Sequence, residues 1–256
     1  MATTPDNPPA SFFAADDGAR LAYRELGEGV PLILIHGLFS NGWTNWIRYG
    51  HAQLIADKGF RVIMPDLRGH GDSAAPHDPA AYPPDVLMHD GLALVRHLDL
   101  AGDYRLAGYS LGGRTALRML VAGARPGQAV LCGMGLQGII DTGGRVGFFR
   151  EVLGDIGNHK RGSPQWMAEA FLKTTGGDPK AMLPLLDSFV STTEAELAAI
   201  DLPVRVVCGV DDHDNGSAED LAARLPQGSF AVIPGNHMSA VLKPELGREI
   251  AAFLTV

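Results

Sequence analysis

Cysteine is scarce: Cys132 and Cys208 are the only two in 256 residues, too few for a disulfide scaffold. Each stands inside an apolar run and reads as a reduced core residue. Long hydrophobic runs are missing as well. No stretch approaches the eighteen or so apolar residues that span a bilayer. Residues 1–10, with three prolines, have neither the basic end nor the apolar stretch of a leader, so a cytoplasmic chain without a membrane partner is expected. Positive charge is in deficit, 21 Lys and Arg against 29 Asp and Glu, and the basic residues are scattered, which argues against a nucleic-acid partner. Neither a zinc-type Cys/His spacing, an internal repeat nor a low-complexity tract is present.

The chain has a large apolar share, 46% against 20% charged, enough for a sizeable core in one large domain. From residue 30 onward, short apolar runs alternate with longer helical patterns, the arrangement that gives a parallel sheet covered by helices. The runs at 30–35, 61–64, 104–107, 129–132, 204–208 and 230–233 are near-continuously apolar, as strands buried on both faces are. Ahead of them, Asp17-Gly18 favours a type I′ turn and a leading antiparallel hairpin. Residues 85–98, 111–122 and 244–254 have the apolar spacing of covering helices. Between 135 and 200 the alternation stops. Two or three helical segments and no convincing strand occur there, which predicts a helical insertion, with the main domain built from 1–134 and 201–256.

The sharpest chemical signal is Gly108-Tyr-Ser110-Leu-Gly112, because it joins the end of an apolar strand to the start of a helix. A serine on such a turn is held in strained backbone angles with its hydroxyl exposed, and glycines on either side are needed because side chains there would collide. The turn also puts the Leu111 amide at a helix N-terminus, where it can donate to a developing oxyanion. A serine hydroxyl needs a base, and on a sheet of this kind the partners follow in chain order as acid, then histidine. Six of the nine histidines precede Ser110, His159 lies in the insertion and His213 abuts an acidic cluster. His237, in the loop after the last strand, is left as the base. The acid comes from Asp211-Asp212-His213-Asp214; loop position favours Asp212, with Asp211 next. After the first long strand, His36-Gly37-Leu38-Phe39 can aim a second amide at the oxyanion, Leu38 first and Phe39 as the alternative. His36 itself is read as a brace for that loop.

These motifs resemble the α/β-hydrolase superfamily, specifically its small esterase-like members. His36-Gly37, Asp66-Leu-Arg-Gly-His-Gly-Asp-Ser73, Gly108-Tyr-Ser-Leu-Gly-Gly113, Gly-Val-Asp-Asp212 and Gly-Asn-His237 occur in the family's order. The resemblance implies an α/β fold with a mostly parallel eight-stranded sheet, a helical cap in place of the insertion, and Ser110, Asp212 and His237 as a catalytic triad. In such relatives the acid falls three residues after the strand-ending glycine, which from Gly209 is Asp212. The 66–73 loop is given a structural role. Relatives that dehalogenate or open epoxides carry an aspartate where Ser110 stands, which disfavours those activities.

The expected function is cleavage of carboxylic esters of small acyl or aryl substrates, with Leu38 and Leu111 as oxyanion donors and no cofactor or metal. Phe39, Tyr109 and Met238 are expected to contact the small-molecule ester. The apolar supply around the site argues against highly charged substrates. Two alternatives stand: a carbon–carbon lyase or hydrolase of the same fold, since Gly108–Arg114 resembles a stretch of small menaquinone-pathway lyases, or a ligand receptor that retains the triad. Arg114 reads equally as a clamp for a substrate carboxylate and as a surface residue.

Overall fold

The computed structural model describes residues 7–100 and 102–255. Of the N-terminal stretch read above as lacking a leader, residues 1–6 lie outside the described residues. Eight strands form one sheet: β1 (Ser11–Ala14), β2 (Arg20–Leu26), β3 (Val30–Ile35), β4 (Phe60–Pro65), β5 (Arg105–Tyr109), β6 (Gln128–Cys132), β7 (Val204–Gly209) and β8 (Gly228–Ile233), in the spatial order β1-β2-β4-β3-β5-β6-β7-β8. β1 and β2 pair antiparallel around the Asp17-Gly18 turn, β2 pairs antiparallel with β4, and every later pairing is parallel.

The period of two along each strand fills both faces. In β3, Ile33 and Ile35 face one apolar cluster, whereas Leu32 and Leu34 face another. The first cluster is covered by α2 (Val86–His97) and α3 (Leu111–Val121), the second by α1 (His51–Ala56) and, at the end of the chain, by the helix over Pro244–Leu254. Between β6 and β7 the chain forms α4 (Leu136–Ile140), α5 (Gly143–Gly154), α6 (Pro164–Thr174), α7 (Pro179–Asp187) and α8 (Glu194–Ala198). The last three start on side-chain caps, Ser163, Asp178 and Thr193. These helices have an apolar cluster of their own, formed by Val152, Leu153, Leu172, Met182 and Leu186, and Phe39 is the one fully buried residue contributed from outside them. After β7 come α9 (Ala218–Ala223), α10 (His237–Ala240) and α11, the Pro244–Leu254 helix.

β8 departs from the sequence reading. It is an edge strand, with Phe230 and Val232 exposed; among the described residues no strand pairs with its outer side. Both cysteines are free and buried, Cys132 in β6 and Cys208 in the adjacent β7. Burial pushes the Cys208 thiol up to about 12, so it stays protonated. Among the described residues no helix is long and apolar enough to cross a membrane.

Candidate active site

Ser110 sits between the last residue of β5 and the first of α3 with φ 54° and ψ −115°, a conformation that costs a non-glycine residue on the order of 1–3 kcal/mol. The flanking glycines make the turn possible. A Cβ on Gly108 would lie 2.3 Å from the Gly112 carbonyl, and one on Gly112 would lie 2.1 Å from the Ile35 oxygen. The bend is pinned to the sheet by the Ser110 amide, which donates to the Cys132 carbonyl at 2.8 Å.

From the loop after β8, His237 opens α10, whose start is fixed by Asn236: its Oδ1 accepts from the Met238 and Ser239 amides. The imidazole Nε2 is 3.0 Å from Ser110 Oγ and Nδ1 is 2.9 Å from Asp212 Oδ2. An ionised carboxylate only accepts, so Nδ1 carries the proton and Nε2 is free to accept from the hydroxyl. Burial is the largest single influence on Asp212 and works against its charge, but the hydrogen bond and charge of His237, with the Asp214 amide and Cys208, together outweigh it and the carboxyl stays below its ordinary range. The other two acids of the loop point elsewhere. Asp211 is exposed, and Asp214 reaches Arg145 at 3.3 Å. Neither caps the following helix, where Ser217 accepts from Asp220 instead.

The loop after β3 is held from several sides. The Gly37 amide donates to Asn45 Oδ1 at 3.1 Å, and Asn45 is delivered by a π-helical turn over Trp43–Ile47. His36 Nδ1 donates to the Gly37 carbonyl at 2.8 Å while its Nε2 accepts from the Leu67 amide at 3.0 Å. Burial holds the His36 pKa below its ordinary value, which keeps the ring neutral, and its two hydrogen bonds select this tautomer. Because C=O and N–H point opposite ways across a trans peptide, fixing the Gly37 carbonyl also fixes the Leu38 N–H. That amide, like Leu111 N–H, has no hydrogen-bond partner among the described residues, and both residues line the cleft beside Ser110. The Phe39 amide is engaged, donating to His70 Nε2 at 3.3 Å.

The cleft beside Ser110 is walled by Leu38, Leu111 and Met134 on one side and by Val146, Phe149 and Phe189, from the stretch between β6 and β7, on the other. None of the three residues expected to contact substrate lines it. Phe39 has φ 64°, a left-handed turn that sends its ring into the apolar cluster of the helices between β6 and β7. Tyr109 precedes Ser110 on a strand, so it faces the opposite layer, where its hydroxyl donates to the His237 carbonyl at 2.6 Å. Met238 is 53% exposed on the outer side of α10. Sequence reasoning passed over Arg145 and Asn215, which line the cleft; neither belongs to a motif or a periodic pattern. Among the described residues no group of three or more His, Cys, Asp or Glu is arranged to hold a metal ion.

Known proteins share this architecture. The AB hydrolase superfamily protein YisY of Bacillus subtilis is 29% identical over 247 residues, 85% of this chain and 86% of that protein. A non-heme haloperoxidase of Rhodococcus erythropolis is 34% identical over 129 residues, 48% of this chain and 43% of its own length. Among solved structures, a thermophilic esterase from Thermogutta terrifontis superposes with a TM-score of 0.77 over 96% of this chain and 98% of that one, at 24% identity, a likeness of fold. Residues 32–246 match the model of the alpha/beta hydrolase family, and the chain belongs to that family.

Proposed function

We propose that the protein is a serine hydrolase that cleaves carboxylic esters through an acyl-enzyme. The observation that carries this reading is the unbroken hydrogen-bond chain from Ser110 Oγ through the His237 ring to Asp212, with 3.0 and 2.9 Å links. Ser110 Oγ attacks the ester carbonyl as its proton passes to His237 Nε2. The negative charge that forms on the carbonyl oxygen meets the Leu38 and Leu111 amides, two donors free of other partners among the described residues. The carbon–oxygen bond to the alcohol then breaks, and the leaving alkoxide takes the proton from His237. Water, deprotonated by the same imidazole, attacks the acyl group, and Ser110 leaves with the proton restored. Asp212 holds the tautomer and stabilises the imidazolium without itself becoming protonated. The helices between β6 and β7 act as the cap over this chemistry.

Labelling with a fluorophosphonate tests the assignment. The tag is expected on Ser110 in the unmodified protein and absent in Ser110→Ala and His237→Ala. Asp212→Asn is expected to lower kcat on 4-nitrophenyl esters by about 10⁴-fold, whereas Asp211→Asn changes it little. A tag on another residue, or the reverse ranking of the two aspartates, would overturn the assignment.

A further inference from the structure

Arg114 is buried to 8% exposure and forms part of the wall of the Ser110 cleft. Its Nη2 donates to the Gly138 carbonyl, but its Nη1 is buried with no partner among the described residues. Arg24 also has a buried nitrogen, Nε, without a partner among the described residues; what sets Arg114 apart is that no carboxylate pairs with it among those residues. Arg24 and Arg68, the other two buried ones, each hold two carboxylates. Burying an ion without a counter-ion costs several kcal/mol, and Arg114 keeps its charge at neutral pH, since burial lowers its pKa only to about 10.

A second guanidinium reaches the same cleft from the insertion. Arg145 lies 5.0 Å over the ring of Phe149, and its one acidic contact among the described residues is the half-exposed Asp214 at 3.3 Å. Its orientation is therefore set by stacking, and the pairing it makes is loose enough for another anion to replace.

We infer that the cleft binds esters whose acyl chain ends in a carboxylate, held between Arg114 and Arg145 while the carbonyl lies at Ser110. The spacing supports an acyl chain of about five carbons. Arg114 stands one turn beyond Ser110 along α3, about 6 Å along the axis, and it lines the cleft into which Ser110 opens. Three methylenes span a comparable length, and Phe149 and Leu38 give them an apolar wall. A single carboxylate stays within the sequence-based expectation against highly charged substrates, and the aromatic rings serve in part to hold a cation.

The inference rests on Ser110 being the nucleophile, and the experiment separates the two. Mono(4-nitrophenyl) glutarate and 4-nitrophenyl valerate carry the same leaving group and similar acyl lengths, one ending in a carboxylate and the other in a methyl. The unmodified enzyme is expected to favour the glutarate ester in kcat/KM by about tenfold to a hundredfold, the range of one or two charge-assisted hydrogen bonds. Arg114→Met should reduce that preference by at least about tenfold, Arg114→Lys by less, and Arg145→Gln by an intermediate amount. A measurement needing no variant is protection of Ser110 from the fluorophosphonate by glutarate, but not by uncharged glutaramide. Equal turnover of both esters, with glutarate giving no protection, overturns the anion subsite and leaves ester hydrolysis standing. Absence of turnover and of labelling overturns the serine-hydrolase reading instead. Protection by glutarate of a serine that labels but turns over neither ester supports the subsite and counts against the ester chemistry.

Discussion

Arg68 and Arg114 are both buried, both carried by segments that follow a central strand, and satisfied to opposite degrees. Arg68 uses all five of its N–H groups: Nε and Nη2 on Asp90, Nη1 and Nη2 on Asp17, and Nη1 on the Ala81 carbonyl. Burial disfavours its charge, yet these partners more than restore it, and its pKa is raised. Beside it, Asp66 receives Arg24, the Gly42 amide and the Asp72 amide, while Ser73 Oγ donates to its carbonyl. The 66–73 loop thus spends its buried charges on its own geometry and, through Leu67 and His36, on the peptide that presents the Leu38 amide. The cleft keeps a guanidinium with one bond to protein. The difference separates charge that builds the scaffold from charge held open toward whatever enters.

Removing each cation tests that separation most strongly. Arg68→Met leaves Asp90 and Asp17 without their counter-ion and is expected to cost about 3–5 kcal/mol of unfolding free energy, the range for breaking a buried pair from one side. Arg114→Met removes a charge that lacks a carboxylate and is expected to change stability by less than about 1 kcal/mol, because relief of the buried charge offsets the lost Gly138 bond. Urea denaturation of the two variants measures both. Equal losses would mean that Arg114 is structural and that the contrast is empty.

The scaffold side of this contrast was readable in outline from the residues. Ser110, His237 and Asp212 are brought together as chain order required, since strand ends on a parallel sheet converge on one edge, and the collision logic for Gly108 and Gly112 appears as contacts below 2.4 Å. The cleft walls were not readable. Arg145, Phe189 and Asn215 reach it from α5, from the segment after α7 and from the loop after β7, through packing that leaves no period in the sequence. Tyr109 was misread although strand alternation, applied one residue before Ser110, places it on the far face. Phe39 was misread because a left-handed turn redirects its ring, and nothing in Leu38-Phe39-Ser40 announces that conformation.

A smaller effect checks the histidine brace from the scaffold side. His70 accepts from the Phe39 amide and donates from Nδ1 to the Arg68 carbonyl at 3.1 Å. Burial, followed by the neighbouring His36, holds its pKa down to about 3 from an ordinary 6.5. Between those values the unfolded chain binds a proton that the folded chain does not. The contribution of His70 is therefore intact above pH 6.5 and is lost as pH falls below it, by about 1.4 kcal/mol per pH unit. Unfolding free energies at pH 7.0 and 5.5 are expected to differ by about 1.4 kcal/mol less in His70→Gln than in the unmodified protein. An unchanged pH dependence would show that His70 titrates normally and is not locked by the loop.

The weakest effect falls where the sheet runs out of neighbours. Val206 in β7 is fully buried and Val232 in β8 is 54% exposed, although both sit in apolar runs that read alike in sequence. Replacing a valine methyl by a hydroxyl keeps the shape and adds a polar group, so the cost depends on whether water can still reach it. Val206→Thr is expected to lose about 1–3 kcal/mol, and Val232→Thr to stay within about 0.5 kcal/mol. Thermal unfolding of the pair gives the ranking, and sedimentation velocity gives a second reading of the same edge. A loss of more than about 1 kcal/mol at Val232, accompanied by a lower sedimentation coefficient, would mean that this edge is covered by another chain in solution, because an isolated edge strand has no apolar contact there for the hydroxyl to disturb.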